Sequence, residues 1–179
     1  MKINAFLGAI FLMAMTLAST SHAKSYDVMN LPAVHSELAP KSLIYSIAKY
    51  GKRHFATGQF GHILYSDDDG QTWTQAEVPV RSGILDIHFP SPENGWAVGH
   101  EGIILHSSDG GKTWTKQFDG LRYGEEGKSY YEKLVQAEPD NDLYPYLVEE
   151  MEFAIGQGAD KPFFKVFFLN DQQGYTAGA

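Results

Sequence analysis

The stretch SDDDGQTW, Ser66 to Trp73, returns as SSDGGKTW at Ser107 to Trp114, 41 residues later. The shared pattern is Ser-x-Asp-x-Gly-x-Thr-Trp. It joins a small polar residue, an acid, a glycine and a large ring, which is the chemistry of a tight turn leading into a packed strand. Asp68 and Asp109 can accept hydrogen bonds from backbone N–H groups of such a turn. Gly70 and Gly111 can take a positive φ. Thr72 and Thr113 are expected to begin the next strand, and Trp73 and Trp114 to turn inward and bury their rings. Ser66 and Ser107 complete the two boxes.

The repeat extends outward from the box. HFATGQFGHILYSDDDGQTWT (His54 to Thr74) aligns with GWAVGHEGIILHSSDGGKTWT (Gly95 to Thr115), pairing Phe55 with Trp96, Gly58 with Gly99, Gly61 with Gly102 and Ile63 with Ile104. A period of this size fits a propeller blade of four short strands. In the second unit the strands are expected in GILDIHF (Gly83 to Phe89), GWAVG (Gly95 to Gly99), GIILHS (Gly102 to Ser107) and TWTKQF (Thr113 to Phe118). Leu85, Ile87 and Phe89 are expected to form one layer. SLIYSIAKY, RHFATG, HILYS and TWTQA play the same parts in the first unit.

A third unit starts at Phe163. FFKVFFLNDQQGYTAGA matches the second with a shift of 79, placing Phe168 at Phe89, Gly174 at Gly95, Tyr175 at Trp96 and Gly178 at Gly99. The extra residues lie between Asp119 and Pro162. There, Ser129 and Glu132 read as a capping box opening one helix. PYLVEEMEFAIG reads as a second, with Pro145 in its first turn and Leu147, Met151, Ala154 and Ile155 on one face, ending at Gly156. The fold class is therefore all-β: a partial β-propeller of about two and a half four-stranded blades with a helical insertion. The divisions are 1–23, a leader; 24–118, an N-terminal segment and two blades; 119–162, the insertion, two short helices in a hairpin off the rim; and 163–179, the start of a third blade. YDVMNLPAVHSELAP is expected either to run along the first blade or to supply a closing strand.

The box and its setting resemble the Asp-box, or bacterial neuraminidase repeat. From Tyr26 to Asp119, and partly from Phe163 to Ala179, the chain is similar to the photosystem II stability and assembly factor-like family. The resemblance implies a propeller of seven or so blades and the role of an assembly chaperone rather than an enzyme. Exported members occur in non-photosynthetic bacteria, often encoded near resistance-nodulation-division type exporters. It implies a protein partner, with a membrane transporter component as one candidate. The arginine-rich client patch of photosynthetic members has no counterpart, since only Arg53, Arg81 and Arg122 are present.

Composition narrows the function. The first 23 residues carry Lys2, an apolar run from Ala5 to Ala18 and small residues at Ser21 and Ala23. This is the pattern of a secretory signal peptide cleaved after Ala23, and the run is short of the roughly 20 residues that span a bilayer. The expected location is the periplasm or the secreted fraction. Loss of Lys2 leaves 13 basic and 22 acidic residues, a net charge of −9. Such a surface repels phosphate backbones, so nucleic acid is not an expected partner. Without cysteine there is no thiolate chemistry and no disulfide.

Candidate chemistry is sparse. As a calcium loop the run from Asp67 fails, because Thr72 stands at position six and Val78 at position twelve. Ser108 also replaces Asp67 in the second copy. His88, His100 and His106 are near one another in sequence, yet no histidine position is kept between units, so strand-face and loop roles are expected. Glu93 and Glu101 are read as solvated turn residues. No metal, cofactor or catalytic residue is assigned.

A sialidase-like hydrolase fragment is the enzymatic alternative, and it needs a converging arginine cluster. A truncated product with unpaired strand edges is a third reading. The acidic run Asp140, Asp142, Glu149, Glu150 and Glu152, beside Tyr130, Tyr131, Tyr144 and Tyr146, is either a solvated face or a docking surface for a basic partner. The tyrosines could instead pack the helices onto the propeller. The function read from the sequence is a non-catalytic protein-binding or assembly module.

Overall fold

A computed structural model describes residues 27–179. The signal-peptide reading lies outside the described residues. Two four-stranded antiparallel sheets carry the repeat. Blade 1 is β1 (Ile44–Tyr50), β2 (Arg53–Gly58), β3 (Ile63–Ser66) and β4 (Thr74–Gln75), hydrogen-bonded in that order. Blade 2 repeats the order with β5 (Ile84–His88), β6 (Gly95–Gly99), β7 (Ile104–Ser107) and β8 (Thr115–Phe118). After β8 the chain forms two helices, α1 (Gly120–Ala137) and α2 (Leu143–Gln157). It then returns as an antiparallel pair, β9 (Phe163–Asn170) and β10 (Gln173–Gly178). The architecture is an open, mostly β propeller arrangement with a helical insertion. None of the described helices is long and apolar enough to cross a membrane.

Alternation along the strands decides which face each blade presents to its neighbour. Phe55 and Ile63 of blade 1 join Ile87, Phe89, Ala97, Leu105 and Trp114 of blade 2 in one buried cluster. The opposite face of blade 1 repeats the second half of that set, shifted by one period. Ala56, Leu64 and Trp73 stand where Ala97, Leu105 and Trp114 stand in blade 2, but among the described residues they pack with Ala39 and Ile44 rather than with a second blade. On the far face of blade 2, Trp96 and Val98 pack with Val166, Phe163 and Phe168 of the third hairpin.

The aromatic contacts repeat with the blades. Phe55 stacks on Phe89 with ring centres 4.6 Å apart and planes 15° apart. One unit on, Trp96 stacks on Phe168 at 3.8 Å and 14°. Trp114 meets the edge of Phe89 at 5.9 Å. These rings contribute the large apolar areas of each blade boundary.

Several local expectations need correction. Leu85 does not join the layer of Ile87 and Phe89, because the β5–β6 register slips between Ile84 and Asp86, so Ile84 is buried in its place. Thr72 and Thr113 do not begin strands. Thr72 lies in its turn and Thr113 makes an isolated bridge to Glu77, and the strands start later, at Thr74 and Thr115. Trp73 is only half-buried, whereas Trp114 is 4% exposed. Both occupy the same place in their own blade, and among the described residues only Trp114 has a blade in front of it.

The N-terminal segment contributes no strand among the described residues. It runs along the link between blades, where Ala33 N–H donates to Val78 O and Arg81 N–H to Val28 O. The helices are not short, with 18 and 15 residues, and Ser129 lies inside α1 rather than at its start. The N-cap is Asp119, whose carboxylate accepts from Arg122 N–H at 3.2 Å. The second helix ends at Gln157, one residue beyond Gly156, and Gly158 caps it at φ 78°.

Candidate functional site

The two boxes share one hydrogen-bond pattern. Ser66 and Ser107 are buried at strand ends and donate from Oγ to Asp68 Oδ1 (2.7 Å) and Asp109 Oδ1 (2.8 Å). The same Oγ atoms accept from Gly70 N–H and Gly111 N–H at 2.9 Å. Asp68 Oδ1 accepts Thr72 N–H at 2.9 Å and its Oδ2 accepts the Thr72 hydroxyl at 2.5 Å. Asp109 makes the equivalent pair with Thr113, at 3.0 and 2.7 Å. Gly70 and Gly111 sit at φ 85° and 83°. A Cβ on Gly111 would also lie 2.5 Å from the Phe55 ring, so this glycine serves both the turn and the blade boundary.

The electrostatics follow from these bonds. The hydroxyl and N–H of Thr72 and the hydroxyl of Ser66 hold the Asp68 carboxyl down at about 2. Burial pushes Asp109 upward, but the bonds from Thr113, Ser107 and Lys112 outweigh it and leave its pKa lowered. Both carboxylates are thus ionised and consumed within their own turns. The second box is also stitched to the link between blades. Glu77 N–H donates to Lys112 O, and Trp114 N–H donates to Glu77 O.

A second set of polar residues, His88, expected only on a strand face, and Asp86, not singled out in the sequence, joins blade 2 to the third hairpin. Asp86 is 8% exposed and its Oδ2 accepts Val166 N–H at 3.1 Å. Its Oδ1 takes Lys165 Nζ at 3.2 Å and the Ser46 hydroxyl at 3.4 Å, so one carboxylate touches all three units. His88 Nδ1 accepts Phe168 N–H at 3.2 Å, and its ring lies against Tyr50 and Phe167. The signal was present as polar residues two apart on an otherwise apolar strand.

The remaining candidates are dispersed. Arg53 forms a two-point pair with Asp67 (2.7 and 2.6 Å) and donates to Gly110 O. Arg81 donates to Pro32 O, and Arg122 binds Glu126 and Gln117 O. Each arginine is held by a local partner of its own, an arrangement unlike a cluster that grips one substrate carboxylate. His106 packs on Trp96 and His100 on Tyr45. Among the described residues no three His, Asp or Glu side chains are grouped to hold a metal. Glu93 is exposed as expected. Glu101 is not fully solvated, since its Oε2 is buried without a partner in a turn at φ 56°.

The helical hairpin also presents exposed apolar and aromatic side chains, among them Tyr130, Leu143, Tyr146 and Phe153. Tyr130 and Tyr146 are more than half exposed, so most of each ring faces solvent. Tyr144 donates its hydroxyl to Glu138 Oε2 at 3.3 Å. Lys128 bridges to Glu152 at 2.7 Å across the two helices.

Four-stranded blades, each closed by an Asp-box hairpin and stacked through paired rings, define a partial propeller of the Asp-box repeat class. A model of the family described as photosynthesis system II assembly factor YCF48 matches residues 68–140. No curated protein sequence matches the chain. Among solved structures, YCF48 bound to D1 peptide is similar with 19% identity and a TM-score of 0.45 over 75% of this chain. YCF48 from Cyanidioschyzon merolae is similar with 19% identity and a TM-score of 0.44 over 77% of this chain. The chain spans about a third of the length of both, 34% and 35%.

Proposed function

We propose that the chain is a non-catalytic docking and assembly module of the periplasm, acting on a membrane-associated protein complex, with an exporter component as the candidate partner. One observation carries the reading. Both Asp-box carboxylates spend their oxygens on their own turns, so the repeated acids build blades and leave broad side-chain surfaces as the means of acting. The arginines, each bound locally, support the same reading over glycoside hydrolysis. The apolar run Ala5–Ala18 followed by Ser21 and Ala23 supports export.

The test is cross-linking and purification of the tagged full chain from the envelope of its own cells. A membrane-associated protein recovered in near-equal amount supports the proposal. Recovery of the chain alone, or glycoside hydrolysis lost on changing Arg53 or Arg81, contradicts it.

A further inference from the structure

The negative charge is not spread over the molecule. Residues 119–162 hold 11 of the 22 acidic and 4 of the 14 basic side chains, which is −7 of a total of −8. The blades and the N-terminal part are close to neutral. The insertion is therefore the one strongly charged body on the chain.

Its second helix has two apolar sides. The inner side, with Met151 and Ile155, packs on α1, where Met151 Sδ closes on Gly127 and Ile155 on Gly124. The outer side carries Leu143, Tyr146 and Phe153, spaced so that they fall on one face with Glu150 between them. These three are 56%, 56% and 66% exposed. The neighbouring Glu149 and Glu150 are exposed as well. Helix packing does not account for this outer stripe, because the interhelical contact uses the other side.

We infer that the outer face of α2 docks a basic, amphipathic segment of another protein, whose apolar side chains cover Leu143, Tyr146 and Phe153 while its lysines or arginines meet Glu149 and Glu150. This names the docking surface for the reading proposed above and rests on it. The charge selects the occupant. An anionic lipid surface and a nucleic acid both repel a body of −7. A second copy offers the same acidic hairpin and near-neutral blades, so it has no complementary face. A basic segment gains steering from the field and affinity from the rings, as aromatic anchors within a charged rim do elsewhere.

The experiment uses the full chain and, as probe, a labelled helical peptide of leucine and lysine in amphipathic order, followed by fluorescence anisotropy at low and high salt. Saturable binding that weakens with salt is expected. Tyr146→Ser with Phe153→Ser should weaken it by about tenfold or more without altering charge. Glu149→Gln with Glu150→Gln should also weaken it, while Glu37→Gln with Glu93→Gln, equal in charge and remote, should not. The inference is overturned if binding does not saturate, if the serine pair leaves it unchanged, or if the remote glutamine pair weakens it as much. The envelope purification separates the two ideas. A Tyr146→Ser, Phe153→Ser chain that still recovers its partner in full removes the α2 face and leaves the docking module standing.

Discussion

At the scale of single residues, the molecule is held by acids that face inward on backbone. Asp109 satisfies the N–H groups of Lys112 and Thr113 and two hydroxyls, those of Ser107 and Thr113. Asp109→Ala should cost about 1–3 kcal/mol in chemical denaturation, since the turn loses its acceptor and keeps its donors. Asp86→Ala strands the buried Val166 N–H and should cost a similar amount, about 1–3 kcal/mol, with Asp86→Asn less damaging. His88 gives the pH dependence. Burial lowers its pKa below the ordinary value near 6.5, and its Nδ1 must stay unprotonated to accept from Phe168 N–H. The unfolded chain binds that proton first as pH falls, so stability is full above about 6.5 and declines below it. Buried His62 is lowered by the same cause and adds to the slope. His88→Gln should flatten the fall in denaturation midpoint between neutral and mildly acidic pH, and an unchanged slope contradicts the assignment. The boxes were legible from sequence because identical turns need identical residues. Asp86 and His88 showed only as polar residues on an apolar strand, because each accepts from a backbone N–H about 80 residues away, and a backbone donor has no signature of its own.

At the scale of elements, β2 and β6 stand where the sequence reading placed them, bounded by glycine and by loop residues. Helix α1 was legible only in its second half. Gly120, Gly124 and Gly127 lower intrinsic helix propensity by about 1 kcal/mol each, which made the first turns read as loop. Their use lies in tertiary packing. A Cβ on Gly124 would lie 2.7 Å from Ile155 Cγ1, and one on Gly127 2.5 Å from Met151 Sδ. The absent side chains let α2 approach closely. Gly124→Leu should therefore raise local propensity yet destabilise the hairpin by about 1–3 kcal/mol through overpacking. Hydrogen exchange across α1 and α2, compared with β5 to β8, checks this. Faster exchange confined to the helices is expected, and slower exchange there contradicts the packing.

At the scale of the whole molecule, one boundary is built twice. Phe55 on Phe89 and Trp96 on Phe168 are the same contact moved along the repeat, and Tyr175 is the next ring in the series, 58% exposed. Phe89→Ala should cost about 3–5 kcal/mol because its ring serves Phe55, Tyr50 and Trp114 together. The period alone was enough to foresee stacked blades. It could not tell which tryptophan would be covered, because that depends on whether a neighbouring sheet stands in front of it. The most direct test of the repeat as a stacking device is iodide or acrylamide quenching of variants that retain one tryptophan each, the others replaced by phenylalanine. Blue-shifted, weakly quenched emission is expected from Trp114, and redder, strongly quenched emission from Trp73. Equal quenching of the two would contradict the repeat's stacking role.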